Sequence, residues 1–145
     1  MYRLIYKSSS VAPITWELVR EIMRASKERN KQEGITGALL ATEKHFLQVI
    51  EGNFESVNRL FMRIVKDPRH DEIHLIAFHT IDARLFEHWG MRGIGVFDLD
   101  EKLDRQLKSK YGEDYGELHF PLEEWMVLSL FHDIEMDDEL PEWKR

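Results

Sequence analysis

The sequence predicts an α+β fold, one sheet interleaved with helices and followed by a helical extension. Two apolar runs of strand length, residues 35–42 and 45–50, are joined by the short polar turn Glu43-Lys44, which makes a β-hairpin the centre of the sheet. Helical spacing of apolar residues brackets that hairpin on both sides. After Leu99 the chain changes character and becomes helical and more polar. With 145 residues and 43 % hydrophobic content, the chain suits one domain with a core of its own, plus a short extension.

Each element follows from local chemistry. Tyr2 to Ser8 alternates Tyr2, Leu4 and Tyr6 against Arg3, Ile5 and Lys7, a first strand that the Ser8-Ser9-Ser10 run and Pro13 are expected to end. Thr15 suits an N-cap, Glu17 and Glu21 suit the first turns, and Leu18, Ile22, Ser26 and Asn30 follow at four-residue steps along a first helix. Gly34 stops it. In the second hairpin strand Phe46, Gln48 and Ile50 share a face, which puts a primary amide between two large hydrophobes. Left unpaired in a core, such an amide costs about 1–3 kcal/mol per group, so a polar partner is expected at Gln48.

Asn53 caps a second helix carrying Phe54, Val57, Leu60, Phe61, Ile64 and Val65, and Asp67-Pro68 closes it. Residues 72–81 form a strand apolar on both faces, as in a sheet covered on both sides. Residues 86–97 are read as an irregular final edge strand, loosened by three glycines, with Trp89 and Met91 on one face. The order β-α-β-β-α-β-β with right-handed crossovers is that of a ferredoxin-like sheet with two helices on one face. Residues 99–111 and a stretch from Pro121 to Ile134 then predict a helix pair covering the other face, joined by a turn at 112–116. The second of these is apolar over more than one stripe, which leaves area for self-association. The tail from Glu135 to Arg145 is acidic. These readings divide the chain into a domain at 1–97 and an extension with its tail at 98–145.

Composition narrows the function. The formal net charge of −7 disfavours nucleic acid unless basic residues gather on one face, and no gathering is evident in the sequence. No long apolar run or signal-peptide core is present, so a cytoplasmic protein without a membrane role is expected. The absence of cysteine excludes disulfides, thiolate catalysis and photochemistry through a cysteinyl adduct. The seven histidines are scattered without metal-site spacing, and no metal is expected. Neither a P-loop nor a dinucleotide glycine fingerprint is present.

Three polar groups remain on elements that should pack together: Tyr6, Gln48 and the Ser26/Asn30 end of the first helix. Each alone has an ordinary structural explanation. Together, a phenol and two amides in one helix–sheet cleft could hold a flat heterocycle with donor and acceptor edges.

Tyr6-Lys7-Ser8, Asn30 before Gly34-Ile35-Thr36-Gly37, the run 46–52 (FLQVIEG), Asp67-Pro68-Arg69-His70 and the run 86–91 (FEHWGM) stand in an order and spacing that closely resemble the BLUF domain, a family of flavin-binding blue-light sensors. The resemblance covers about residues 1–97, and the two-helix extension resembles that of short single-domain members. It implies a blue-light photoreceptor holding FAD non-covalently between the two helices. Asn30 would bond the pyrimidine end, with Ser26 and Arg29 nearby, Ile22 and Ile35 would contact the ring faces, Arg69 and His70 would lie toward the phosphates, and Ser8 would complete the cofactor site. Tyr6 would give an electron and then a proton through Gln48, leaving the amide rotated or tautomerised and the absorption red-shifted.

Trp89 and Met91 match the family's mobile pair, through which the change would reach the last strand and the C-terminal helices. The resemblance also implies a switch without turnover chemistry, a homo-oligomer and a downstream signalling protein as partner. Two other readings stay open on the residues alone. One is a light-independent ligand-binding regulatory module with Tyr6 and Gln48 structural. The other is an acylphosphatase-like hydrolase of the same fold, although Ser8-Ser9-Ser10-Val11 lacks the Arg and Gly of a phosphate loop.

Overall fold

Period-two alternation and well-formed helix caps account for most of the architecture. The computed structural model describes residues 1–136. The strands are β1 (Tyr2–Ser10), β2 (Thr36–Ala41), β3 (His45–Gly52), β4 (His70–Thr80) and β5 (Arg92–Gly95), and they form one sheet in the order β4-β1-β3-β2-β5. Helix α1 (Trp16–Gln32) connects β1 to β2, and α2 (Phe54–Lys66) connects β3 to β4. This is the ferredoxin-like arrangement, extended by β5 running parallel to β2.

The local signals act as expected. Thr15 Oγ1 accepts from the Leu18 amide at 3.2 Å and Asn53 Oδ1 from the Ser56 amide at 2.9 Å, which start α1 and α2. Gly34 ends α1 with φ +67°, while the Ile35 amide returns to the Asn30 carbonyl at 2.8 Å. Thr42 Oγ1 accepts from the amides of Lys44 and His45 and closes the hairpin turn.

Several boundaries differ from the sequence reading, three of them for a local reason. The serine run does not end β1, because Ser9 pairs with His45 of β3 and Ser10 with His70 of β4, so both neighbours hold it extended. The second C-terminal helix starts at Glu124 rather than Pro121, since the amides of Met126 and Val127 turn back to the Glu123 carbonyl. The final strand is only four residues long. Residues 86–91 turn instead, with the Trp89 amide bonded to the Phe86 carbonyl at 3.0 Å.

Both faces of the sheet are covered. On one, Leu4, Tyr6, Ile35 and Ile50 pack with Val57 and Leu60 of α2, and Leu39, Ala41 and Phe46 pack with Val19 of α1. On the other, Ile5, Leu40, Leu47 and Val49 meet Leu103 and Leu107 of α3 (Glu101–Tyr111) and Val127, Leu130, Phe131 and Ile134 of α4 (Glu124–Glu135). A short hairpin, β6 (Glu113–Asp114) and β7 (Glu117–Leu118), stands where the sequence predicts a turn. No described helix is long and apolar enough to cross a membrane. The acidic tail beyond Met136 lies outside the described residues.

Because residues 86–91 turn, Trp89 and Met91 do not share a face. Trp89 packs with the cluster under α3 and α4, whereas Met91 packs with the cluster under α2. The expectation that both sit on one strand face is corrected accordingly. The register also pairs two charged residues: the β1–β3 pairing that sets Tyr6 against Gln48 sets Arg3 against Glu51 on the opposite face.

Candidate functional site

Between α1, α2 and the sheet lies a cleft of about 220 Å³. Its sheet wall is set by register. Tyr6 of β1 and Leu39 of β2 stand directly opposite Gln48 of β3, so the three side chains form one row under the helices. Tyr6 donates its hydroxyl hydrogen to Gln48 Oε1 at 2.5 Å, and Gln48 Nε2 donates to Met91 Sδ at 3.4 Å. Both carbonyl and amide of the side chain are thus partnered, which removes the penalty that the sequence raised. Burial, assisted by the nearby negative charge of Asp67, raises the Tyr6 phenol far above the usual tyrosine range. The phenol is held protonated with its hydrogen aimed at an amide oxygen.

The helix wall is supplied by Ile22, Ser26, Arg29 and Asn30 of α1. The four-residue steps read in the sequence bring them to one side, as helical geometry requires. Ser26 Oγ donates to the Ile22 carbonyl at 2.9 Å and so satisfies itself within the helix. Asn30 is different. It is 3 % exposed, it lines the cleft, and its Oδ1 has no hydrogen-bond partner among the described residues. An orphaned buried acceptor beside apolar walls is what a planar ligand with an N–H edge would complete.

At the mouth, Arg69 and His70 also line the cleft. The Arg69 guanidinium is held by Asp67 at 2.5–3.0 Å, and this bond holds the Asp67 carboxyl below the usual carboxylate range. His70 Nδ1 meets Ser8 Oγ at 3.0 Å, and its Nε2 meets the Ile64 carbonyl, which can only accept, so Nε2 carries the hydrogen. Ser8 therefore acts behind His70 and is not itself a wall. Nor is Ile35, which is buried against Ile50 and Val57 beneath α2. The sequence reading missed Arg63 of α2, a third arginine on the cleft beside Arg29 and Arg69, 3.6 Å from Glu33 at the end of α1. Its position among the last-turn cations of α2 was the available signal.

A buried anchor holds the segment that carries Trp89 and Met91. Glu51 is fully buried, pairs with Arg3 at 2.9 Å, and accepts from the amides of Leu85 and Phe86 at 2.8–3.1 Å. Arg3 also approaches Glu124 at the start of α4, 3.7 Å away. From the anchored segment, Phe86 meets Trp89 on one side and Phe131 of α4 on the other, with ring centroids 5.5 and 5.6 Å apart. Gly37 makes room for Met91: a Cβ there would stand 3.1 Å from the Met91 methyl and only 1.9 Å from the Val49 carbonyl oxygen.

Comparison with known proteins decides the family. The sequence model described as "BLUF: Sensors of blue-light using FAD" matches residues 1–92. The chain belongs to the BLUF family. Among curated BLUF relatives, photoactivated adenylate cyclase subunit alpha of Euglena gracilis is 36 % identical over 92 residues, which are 62 % of this chain and 9 % of that protein. The blue light- and temperature-regulated antirepressor BluF of Escherichia coli is 34 % identical over 96 residues, 66 % of this chain and 23 % of that protein. This chain thus matches only a small part of those relatives. Among solved structures, the dark state of BlrB, a BLUF protein, aligns over 92 % of this chain and 93 % of that one, with 33 % identity and a TM-score of 0.72. A bacterial light-regulated adenylyl cyclase aligns over 93 % of this chain but 35 % of its own, with 27 % identity and a TM-score of 0.68. BLUF domains are flavin-binding photosensor modules, and the cleft of this chain, with its orphaned Asn30 oxygen, fits such a ligand.

Proposed function

We propose that this chain is a blue-light photoreceptor in which residues 1–97 hold FAD non-covalently in the α1–α2 cleft and residues 98–145 carry the response outward. The observation that carries this reading is the continuous Tyr6–Gln48–Met91 contact at the foot of the cleft. Asn30, with Ile22, Ser26 and Arg29 beside it, would hold the ring, while Arg69 and His70 would face the outer part of the cofactor. When bound, the flavin supplies blue absorption and the oxidising power of an excited ring.

The chain's own residues supply the rest. Tyr6 keeps its proton until its ring loses an electron, at which point a phenol becomes strongly acidic and Gln48 Oε1, at 2.5 Å, is placed to accept the proton. Gln48 can then exchange its two ends at little steric cost, because an amide is nearly symmetric in shape and reversed in donor and acceptor. Turned over, it would present oxygen to Met91 Sδ, which has no hydrogen to give. Met91 would lose its partner, and the turn at 86–91 would pass the change through Trp89 and Phe86 to Phe131 of α4. Photoreception by this route consumes no cofactor, so the protein acts as a switch without turnover.

The exposed side chains of Leu122, just before α4, and of Trp125 in its first turn support self-association as part of the response. The deciding experiment is the visible absorption spectrum of the purified protein in darkness, under blue light and again in darkness. A flavin spectrum that moves to the red and returns is expected. A protein that stays colourless after FAD is offered would replace this reading with the light-independent binding module.

A further inference from the structure

On the opposite flank of α1 from the flavin cleft runs a second groove, of about 840 Å³. Arg20, Arg24, Lys27 and Lys31 line it at helical spacing, and Arg84 joins them from the segment after β4. The sequence reading found no gathering of basic residues, because the interleaved Glu17, Glu21 and Glu28 hide it in a count of charges. The helix turns the four cations toward the groove, and none of the three glutamates is among its described lining residues. None of the four α1 cations makes an ion pair with a described residue, and Glu87 is the one acidic side chain among the lining residues. In a chain of net charge −7 this makes a locally positive groove wall, five cations to one carboxylate among the described lining residues.

The floor of the groove is apolar and includes Met23, Ile35 and Met91. Methionines make an adaptable contact surface for apolar side chains. Among the described residues no aromatic side chain lines the groove, so these offer no stacking platform for bases, and the net charge opposes a nucleic-acid backbone. Cations above a methionine floor suit a peptide that carries carboxylates along one edge and aliphatic side chains along the other.

We propose that this groove docks an acidic, amphipathic segment of a partner protein. Met91 belongs both to its floor and to the Gln48 contact, so the orientation of Gln48 biases how well that segment seats. This last step rests on the photoreceptor reading, whereas the docking surface itself does not.

The test pans the flavin-loaded full chain, in darkness and under blue light, against displayed random peptides of about 12 residues, enough to span the Arg20–Lys31 stripe as a helix. Selected peptides are expected to be rich in Asp and Glu interleaved with Leu, Ile or Met. The best of them, made synthetically, should bind the Arg24→Glu/Lys27→Glu variant at least about tenfold more weakly. Its affinity for the unaltered chain should differ by about fivefold or more between dark and light. Arg24 and Lys27 are exposed and are not among the residues that line the flavin cleft, so circular dichroism should show the variant folded. Absence of acidic enrichment, undiminished binding to the charge-reversed variant, or tighter binding of a single-stranded oligonucleotide of equal charge would each overturn the docking proposal. Equal dark and light affinity in a sample whose absorption does shift would overturn the link through Met91. Absorption recorded on the same samples separates the two readings, because a missing red shift counts against photoreception while the dark selection still judges the groove.

Discussion

The amide nitrogen of Gln48 lies 3.4 Å from the sulfur of Met91. A thioether accepts hydrogen bonds and donates none, so this contact favours one orientation of the Gln48 amide, with Oε1 toward Tyr6. Replacing Met91 by Ala removes the sulfur without touching Tyr6. The light-induced spectral shift should then persist nearly unchanged while the accompanying change in α4, read by Trp125 fluorescence, disappears. A fluorescence response of undiminished size would sink the route through Met91.

Tyr6→Phe deletes the hydroxyl and leaves the ring in its pocket. Flavin should be retained and the red shift abolished. Gln48 Oε1 loses its donor, so stability should fall by about 1–3 kcal/mol in chemical denaturation. A variant with an unaltered photocycle would reassign the electron donor.

Asn30→Leu separates binding from folding. Because Asn30 Oδ1 has no partner among the described residues, the flavin-free protein should keep its stability to within about 1 kcal/mol, helped by the better helix propensity of Leu. Flavin affinity, measured by fluorescence titration, should drop at least about tenfold through the loss of polar contacts. Equal affinity in both proteins would remove Asn30 from the site.

The helix caps, the hairpin and both crossover helices were legible in the sequence because each is written in short-range chemistry, as at Thr15, Asn53 and Gly34. Tyr6 and Gln48 were legible for another reason: a buried amide demands a partner, and antiparallel pairing provides one. The opposed positions of Trp89 and Met91 were not. Their two-residue spacing imitates strand alternation, while the turn that separates them depends on Glu51, distant in sequence, taking the amides of Leu85 and Phe86. The Arg3–Glu51 pair was hidden as well, since a charged residue in an alternating strand reads as solvent-facing until the other face is known to be covered.

Glu51→Ala would strand the Arg3 guanidinium in a buried site and leave the Leu85 and Phe86 amides without their acceptor. Breaking a buried pair in this way should cost about 3–5 kcal/mol. The double variant Arg3→Met/Glu51→Leu should recover part of that loss, and thermal melts of the set would show it. A single variant as stable as the parent would contradict the anchoring role.

His79 Nε2 lies 2.6 Å from Glu124 on α4, and His79 Nδ1 meets the Thr80 carbonyl. The backbone contact first, then the Glu124 carboxylate, raises the imidazole above its ordinary 6.5, with Arg3 opposing. A raised folded-state value stabilises the protein fully below the unfolded value and loses that contribution as pH rises through the folded one. The melting temperature of the parent should therefore exceed that of His79→Gln in mildly acidic buffer and converge with it in mildly alkaline buffer. A gap that is constant across this window would show that the pair does not titrate.

Glu51 joins β3 to residues 34 and 35 positions later and to Arg3, 48 positions earlier. Contacts so far apart in the chain form late in folding, because long loops must close before they are rewarded. The turn that carries Trp89 and Met91 thus depends on an anchor that its own local sequence does not supply. Held by one side chain and not by a strand ladder, the Leu85 and Phe86 amides should exchange with solvent hydrogen sooner than those of β3. The segment best placed to relay a signal is then also the one that opens with the least disturbance to the sheet.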